Sequence, residues 1–211
     1  MVSVLSQKDQ PIPGSGAGLR ERKKARTRRL IQEHALRLFL AKGYEATTIE
    51  EIAAAAEVSH MTVFRYFSRK EDLVLADEYD PLILQQFAAR PSDEPVIDRF
   101  RRALGGGLSR IYAADRDALL VRTRLILNTP ALRARLWEQQ AATERLFAQA
   151  LGGHADDEGS ELHLRVVASS CFAAVTTAVA IWAERDGAEE LPDLIDQALI
   201  CLRDELGRGD G

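Results

Sequence analysis

The run EVSHMTVFRYFSRKEDL, from Glu57 to Leu73, decides how this sequence folds. It brings aliphatic and aromatic side chains together with a histidine and three basic residues. A buried segment seldom carries so many cations, and a solvated segment seldom carries so many rings. The run is therefore expected to have one face packed inside the protein and another face presented to a partner.

The residues just before this run predict a short helix that ends at a tight turn. Thr48 is followed three residues later by Glu51, the spacing of a capping box, and Ile49 and Ile52 begin an apolar stripe. Ser59 can then cap the next helix, HMTVFRYF. Two short helices joined by a tight turn form a helix-turn-helix, whose second helix can enter the major groove of DNA.

The second of these helices divides into an apolar back and a polar front. Val63 and Phe67 lie four residues apart and are expected to pack against the preceding helices. Cations and hydroxyls suit phosphates, while donors, acceptors and methyl contacts suit base edges, so the front is predicted to face a DNA groove. The front comprises His60, Met61, Thr62, Arg65 and Tyr66.

About fifty residues around this motif resemble the DNA-binding domain of the TetR family of bacterial transcription regulators. The similar segment is ARTRRLIQEHALRLFLAKGYEATTIEEIAAAAEVSHMTVFRYFSRKEDLV. It contains the Ala-x-x-Leu-Phe-x-x-x-Gly-Tyr end of the first helix, the Thr-Thr-Ile-x-x-Ile-Ala second helix, the Val-Ser turn and the Thr-x-Phe-x-Tyr-Phe-x-x-Lys-x-x-Leu closing run. The resemblance implies a homodimeric repressor that a small molecule releases from a palindromic operator in double-stranded DNA.

The resemblance also implies roles for single residues. Thr48 and Lys70 match residues that meet phosphates, and the third-helix residues around Thr62 match residues that face bases. Arg65 and Tyr66 match residues that meet the backbone or base edges. The expected DNA-binding set is Arg28, Thr48, Ser59, His60, Met61, Thr62, Phe64, Arg65, Tyr66 and Lys70.

Two positions depart from the family pattern. Phe64 stands where a tyrosine with a phosphate-binding hydroxyl is common, so this contact is expected to be missing and the ring to pack against sugar. Glu57 stands where the turn often has glycine, which costs about 1 kcal/mol if the position is left-handed.

A run of cations, RERKKARTRR, precedes the motif at residues 20–29. An isolated run of this kind is usually a solvated helix end, but before a helix-turn-helix it is expected to follow the minor groove or the backbone. Residues 1–75 hold 13 Lys and Arg against 9 Asp and Glu, while residues 76–211 hold 15 against 23. Only the first third of the chain is therefore expected to attract a polyanion.

Helical spacing dominates the sequence, which predicts an all-α fold of about nine helices. We expect a flexible arm at 1–18, the DNA-binding domain at 19–67 and a helical ligand-binding and dimerisation domain at 68–211. Ser68 is expected to cap a fourth helix. The later helices are expected at 69–90 with a disturbance at Pro81, and at 95–114, 116–128, 131–151, 161–185 and 192–206.

The uncharged stretch VVASSCFAAVTTAVAIWA, residues 166–183, is long enough to approach a membrane span. It lacks the density of Leu, Ile and Phe that favours insertion, so we interpret it as a helix buried on nearly all sides. In this family the last two helices dimerise, and small residues recur here at helical spacing. An ordinary single-chain core is the alternative. The expected dimer contacts are Ser170, Ala174, Ala178, Leu194, Ala198 and Leu202.

The resemblance further implies a small-molecule pocket inside the second domain, where polar groups lie on apolar helices. Surface salt bridges account equally well for the arginines. The glycines at 105–107 could make room for a ligand, bend a helix or break it. The sequence is also similar to the actinobacterial group that includes the mycofactocin-system regulator, which implies an apolar or acyl-type effector. The candidate ligand residues are Arg122, Arg124, Asn128, Trp137, Gln140, Phe147, Phe172 and Thr176.

Other classes of function find less support. The chain has no HExxH, GxSxG or P-loop motif, so neither an enzyme nor a metal or cofactor site is predicted. Its two cysteines lack metal-site spacing, which favours a reducing cytoplasm. A membrane-tethered interaction module would leave the mixed face of the third helix without a purpose. A ligand-independent or activating regulator of the same fold remains the alternative.

Overall fold

The computed structural model of the protein describes residues 18–76, 80–91, 93–152 and 158–207. Every regular element within these ranges is an α-helix, which confirms the predicted all-α class. The N-terminal part contains α1 (Leu19–Lys42), α2 (Ile49–Ala55), α3 (His60–Tyr66) and α4 (Asp72–Leu75). The remaining part contains α5 (Asp80–Ala88), α6 (Val96–Ala114), α7 (Arg116–Asn128), α8 (Pro130–Gly152), α9 (Glu158–Glu184) and α10 (Leu191–Gly207).

The N-terminal helices enclose a small core of their own. Ile31 and Phe39 of α1, Ile52 of α2 and Val63 of α3 are buried together. Gly43 ends α1 with φ 91° and ψ 151°, a positive φ that glycine adopts without a Cβ clash. This core fixes the angle at which α3 is presented.

A second core lies between the later helices. α9 packs against α8 and α10, and α6 packs against α5 and α10. Trp182 and Leu199 are fully buried there, together with a group of phenylalanines. The two cores meet at α4, which packs against α1, α7 and α8, and Leu132 of α8 is buried in the N-terminal core.

The fourth helix differs from the prediction. The expected helix over 69–90 is two helices, α4 and α5, so the described residues contain ten helices rather than about nine. Ser68 does not cap α4, because the N-cap position is occupied by Glu71. The Glu71 side chain makes no capping hydrogen bond. The Asp72 carboxylate instead accepts a hydrogen bond from the Arg69 backbone N–H at 3.1 Å, which makes a turn before α4.

Two helix-breaking signals have mild effects. α5 begins at Asp80, so Pro81 lies in the first helical turn, where its missing N–H has little cost. α6 runs continuously through the glycines at 105–107, which excludes a helix break at that point. A Cβ added at Gly105 would meet no heavy atom within 4 Å, so close packing does not require that glycine.

Candidate DNA-binding surface and effector domain

The start of α2 is fixed by the predicted capping box. The Thr48 hydroxyl accepts a hydrogen bond from the Glu51 backbone N–H at 3.2 Å, and the Glu51 carboxylate accepts one from the Thr48 N–H at 3.0 Å. Lys42 forms an ion pair with Glu51, and its hydrogen bond is the main cause of the lowered pKa of that carboxyl group. Thr48 is exposed at the helix start, in a position open to a phosphate.

The turn between α2 and α3 has the left-handed conformation for which the sequence analysis gave a cost at Glu57. Glu57 has φ 53°, in the left-handed region that favours glycine. The Val58 N–H donates to the Ala53 carbonyl at 2.9 Å and closes the turn. Ser59 then caps α3 as expected, since its hydroxyl accepts from the Thr62 N–H at 3.1 Å and lies 2.8 Å from the Thr62 hydroxyl.

α3 has the two faces that its sequence predicts. Val63 and Phe67 are buried against the N-terminal core. On the opposite side Met61 is 73% exposed, and His60 and Arg65 are exposed beside it. Tyr66 is half-buried and contacts the edge of the core. A helix with this division can rest on the protein and offer its front to a groove.

A carboxylate that sequence reasoning missed lies beside the front of α3. The Glu50 Oε1 atom is 3.5 Å from the His60 Nε2 atom, and the His60 ring packs edge to face on Phe64 with centroids 4.7 Å apart. Phe64 is 41% exposed, so its ring both supports His60 and remains open to solvent. Nothing in the local spacing indicates that Glu50 and His60 pair, because the contact depends on the angle between α2 and α3.

Three of the expected DNA-binding cations already lie over aromatic rings. The Arg28 guanidinium is 5.0 Å from the Phe67 ring centroid, and the Arg65 guanidinium is 5.5 Å from that of Tyr66. The Lys70 ammonium is 4.4 Å from the Tyr44 ring centroid and donates a hydrogen bond to the Tyr44 carbonyl at 2.5 Å. These contacts orient flexible side chains along one side of the N-terminal core.

Tyr44 is the buried partner of Lys70. Its hydroxyl is buried, and burial raises its pKa, with the nearby Glu71 carboxylate adding to the effect. Lys70 joins the start of the segment before α4 to the turn after α1. In this structure Lys70 is therefore a support for the surface as well as a residue matched to a phosphate contact.

The two arginines expected in a ligand pocket are bound to backbone carbonyls. The Arg122 Nε–H donates to the Val74 carbonyl at 2.6 Å, at the end of α4. Arg124 donates to the Ala183 carbonyl from Nε at 3.2 Å and from Nη2 at 3.1 Å, at the end of α9, and pairs with Asp186. Each guanidinium group thus donates to a backbone carbonyl at the C-terminal end of a helix. These hydrogen bonds link α7 to both α4 and α9.

The other ligand candidates are not gathered at one place. Phe147 and Phe172 pack together with ring centroids 5.2 Å apart. Trp137 is 76% exposed on α8, and Asn128 is exposed at the end of α7. Two more candidates bond within their own helices: Gln140 donates to Glu144 at 3.0 Å, and the Thr176 hydroxyl donates to the Phe172 carbonyl at 2.9 Å.

Helix α9 is less buried than its sequence predicted. By length and composition, the segment Glu161–Glu184 is long and apolar enough to cross a membrane. Only 28% of an apolar 18-residue stretch within it is buried, however. One such helix is weak evidence for a membrane span, because core helices of soluble proteins have the same properties. The expectation of burial on nearly all sides is wrong for a single chain.

The expected dimer residues divide between core and surface. Ala178 is buried within one chain, as expected from the alternative interpretation of a single-chain core. Ser170, Ala174, Leu194, Ala198 and Leu202 are half-buried, and all but Ser170 pack against the second core. α9 also carries an exposed uncharged face made of Leu162, Val166, Ser169, Ala173, Thr176 and Thr177, and the exposed ion pair of Arg165 with Glu161 lies near the N-terminal end of the helix.

The cysteines and acidic residues suggest no metal centre within the described ranges. Cys171 is buried, and burial raises its pKa to about 11, whereas Cys201 is exposed on α10. Among the residues that the structure describes, no group of three or more His, Cys, Asp or Glu side chains could hold a metal ion.

Two family models match most of the chain. Residues 31–76 match the model described as bacterial regulatory proteins, tetR family, and residues 94–207 match the MftR C-terminal domain. The HTH-type transcriptional regulator TcmR of Streptomyces glaucescens is 32% identical over 203 residues, which cover 91% of this chain and 89% of TcmR. MftR of Mycobacterium tuberculosis, named as a mycofactocin biosynthesis transcriptional regulator, is 25% identical over 191 residues, or 89% of this chain and 93% of its own.

Solved structures share the whole fold. NalD, the secondary repressor of the MexAB-OprM multidrug efflux pump in Pseudomonas aeruginosa, has a TM-score of 0.57 at 16% identity and covers 87% of this chain and 96% of its own. Thermus thermophilus FadR, a transcriptional repressor in complex with lauroyl-CoA, has a TM-score of 0.52 at 25% identity, with 83% and 92% covered.

A helix-turn-helix with an exposed front, followed by a larger helical domain, defines a DNA-binding transcription regulator. The chain belongs to the TetR family of bacterial regulatory proteins, and its second part has the MftR type of C-terminal domain. The matched families and relatives are transcriptional regulators and not enzymes, which confirms the class that the sequence predicted.

Proposed function

We propose that the protein is a cytoplasmic, homodimeric repressor that an apolar, acyl-type effector releases from a palindromic operator. The observation that carries the proposal is the front of α3, where Met61 is 73% exposed beside His60 and Arg65 while Val63 and Phe67 are buried behind them. Such a face has the donors, cations and apolar atoms that base edges and phosphates require.

Two copies of α3 would occupy successive major grooves, about 34 Å apart along the DNA. Thr48 lies exposed at the start of α2, on the side where a phosphate would approach. The uncharged face of α9 supplies a surface on which a second copy can pack. Dimerisation then sets the spacing between the two copies of α3.

The effector class is supported by one solved relative and by the resemblance to the group that includes the mycofactocin-system regulator. Thermus thermophilus FadR, 25% identical to this chain, was solved with lauroyl-CoA, and the C-terminal domain here is of the MftR type. An effector can release DNA only if it binds the DNA-free state more tightly than the DNA-bound state. In this chain the helices around the phenylalanine core are the ones that such a ligand would separate.

Selection from a random duplex library, followed by fluorescence anisotropy over a range of salt concentrations, tests the proposal. We expect a palindromic consensus and an affinity that falls steeply as salt rises, because phosphate contacts release counterions. Lys70→Ala should weaken binding to all sequences, whereas His60→Ala should change the preferred half-site. Absence of any sequence-selective, salt-dependent binding would contradict the proposal.

Repression itself requires a transcription measurement. A reporter placed downstream of the selected operator should be less active when the protein is present. Lauroyl-CoA is expected to restore both reporter activity and free DNA in the anisotropy experiment. A reporter that rises in the presence of the protein would instead identify an activator of the same fold.

A further inference from the structure

Arg99 is an arginine buried in the second core without a full set of partners. The residue is 6% exposed, and its Nε–H has no hydrogen-bond partner within the part of the chain that the structure describes. Its Nη2 atom donates to the Phe87 carbonyl at 3.4 Å, a long hydrogen bond. A buried guanidinium carries five N–H donors and a fixed charge, so an unfilled donor there has a large desolvation cost.

Among the side chains that the structure describes, the charges near Arg99 leave positive charge uncompensated. Glu94 accepts hydrogen bonds from Arg90 at 2.6 and 3.1 Å and pairs with Arg102. The pKa of the Glu94 carboxyl group is lowered, first by its hydrogen bond with Arg90 and further by the charges of Arg102 and Arg99. Among the described side chains, Glu94 therefore pairs with Arg90 and Arg102 at the corner between α5 and α6, while Arg99 lies near it without an ion pair.

An apolar surface begins directly at this guanidinium. The Arg99 guanidinium lies 4.4 Å from the Phe87 ring centroid. Phe87 contacts Phe147 at 5.3 Å, and Phe100 lies 5.3 Å from both Phe147 and Phe172. These four rings come from α5, α6, α8 and α9 and form the aromatic cluster of the second core.

We propose that the Arg99 guanidinium binds the anionic group of an amphipathic effector whose apolar body lies against the aromatic cluster of Phe87, Phe100, Phe147 and Phe172. This inference rests on the proposed effector-released repressor. A carboxylate or phosphate oxygen fills the unused Nε–H donor and compensates the excess positive charge. An apolar chain that separates the rings keeps their surfaces out of water while it moves α5 and α6 relative to α8 and α9.

Arg99 was not among the residues that the sequence singled out. It stands in the run VIDRF, between Ile97 and Phe100, which both turn inward. An arginine on the apolar side of an amphipathic helix is a usable signal, but a snorkelling side chain gives the same pattern. The unfilled Nε–H and the ring beneath it are visible only in the folded chain.

The proposed binding of the effector's anionic group by Arg99 is called the anchor below. Isothermal titration calorimetry on the full chain can test it with four probes. Sodium laurate and lauroyl-CoA have an apolar chain and an anionic group, methyl laurate has the chain alone, and coenzyme A has the anionic groups alone. The wild-type protein is expected to bind one or both of the first two at least tenfold more tightly than methyl laurate or coenzyme A. If a substitution of Arg99 weakens the binding of laurate, the group that Arg99 binds is a carboxylate. If it weakens the binding of lauroyl-CoA instead, the group is a phosphate.

Arg99→Met should remove the preference for the charged probes by about tenfold or more, because the variant keeps the volume but not the charge. Its Tm without ligand should be unchanged or higher, since replacing a buried charge by an apolar group of similar size is often neutral or stabilising. Arg99→Lys should recover part of the preference. Arg145→Gln, at an exposed arginine of α8, is the matched control and should bind like wild type.

The outcomes separate the two proposals. If Arg99→Met and Arg99→Lys both bind laurate and lauroyl-CoA like wild type, the anchor is wrong while the proposed repressor stands. Equal wild-type binding of laurate and methyl laurate, with no preference for lauroyl-CoA, also overturns the anchor. If the wild-type protein binds none of the probes, the acyl-type effector itself is wrong, and the anchor with it.

Discussion

Glu57 is a residue at which backbone strain is visible in the structure. It lies in the turn between α2 and α3 with φ 53°, and its side chain is exposed. A residue with a Cβ atom in the left-handed region is strained by about 1 kcal/mol relative to glycine. Because the side chain is exposed, we expect that glycine could adopt the same backbone conformation without loss of packing.

Replacement of this residue by glycine should therefore stabilise the protein. We expect Glu57→Gly to raise the free energy of unfolding by about 1 kcal/mol, measured as a higher urea midpoint at unchanged slope. Glu33→Gly is the matched control, since Glu33 is exposed inside α1 and glycine there should lower stability by about 1 kcal/mol. A lower midpoint for both variants would show that the turn is not strained.

Local spacing was enough to predict several single residues. The caps at Thr48 and Ser59 act over three residues, and the buried pair Val63 and Phe67 follows from one helical turn. The pairing of Glu50 with His60 crosses from α2 to α3 and depends on their angle, which no short pattern specifies. Residue roles were thus predictable where they depend on neighbours within one helix or cap.

At the scale of elements, the one-turn helix α4 is held from both parts of the chain. Gln32 of α1 donates to the Ala76 carbonyl at 2.9 Å, and Arg122 of α7 donates to the Val74 carbonyl at 2.6 Å. Arg135 of α8 lies 3.6 Å from the Asp72 carboxylate at the other end. Because α4 is the next helix after α3, these contacts link the position of α3 to that of α7 and α8.

Removal of one of these contacts should affect both stability and DNA binding. Arg122→Gln leaves the Val74 carbonyl without its charged donor, which we expect to lower the free energy of unfolding by about 1–2 kcal/mol. Operator affinity, measured by anisotropy, should fall in parallel because α4 no longer has a fixed position. Arg145→Gln should change neither quantity, and a wild-type affinity for Arg122→Gln would exclude the link.

The contacts of α7 explain why the sequence alone does not determine the partners of two ligand candidates. Arg122 and Arg124 stand on an apolar helix, where a pocket and a helix C-terminus provide equally good partners. Their acceptors lie 48 and 59 residues away in the sequence. The existence of α7 was predictable from its periodicity, whereas the partners of its arginines depend on how the helices pack.

At the scale of the whole molecule, the two parts differ in charge and in exposed surface. Basic residues precede the helix-turn-helix, while the larger part is acidic and would be repelled by DNA. This larger part carries the uncharged face of α9, where Leu162 is 67% and Val166 is 54% exposed. An uncharged face of this length on a DNA-binding protein is well suited to hold two copies together.

Introduction of a charge on this face should separate the copies. Ala173 lies near the middle of the uncharged face, so Ala173→Glu would bury a carboxylate between two chains, which we expect to weaken dimerisation by about 100-fold or more. Light scattering coupled to gel filtration should then show a monomer at micromolar concentration. Operator affinity should fall as well, because one copy of α3 binds one half-site without the gain from linkage.

Ala142→Glu provides the control for this experiment. Ala142 is also an exposed alanine inside a long helix, but it belongs to α8 and not to the uncharged face of α9. Its substitution adds the same charge to the acidic part of the chain and should leave both the mass in solution and the operator affinity unchanged. A dimer that persists in Ala173→Glu would place the contact elsewhere, and monomers in both variants would show that added charge alone, rather than its position, separates the chains.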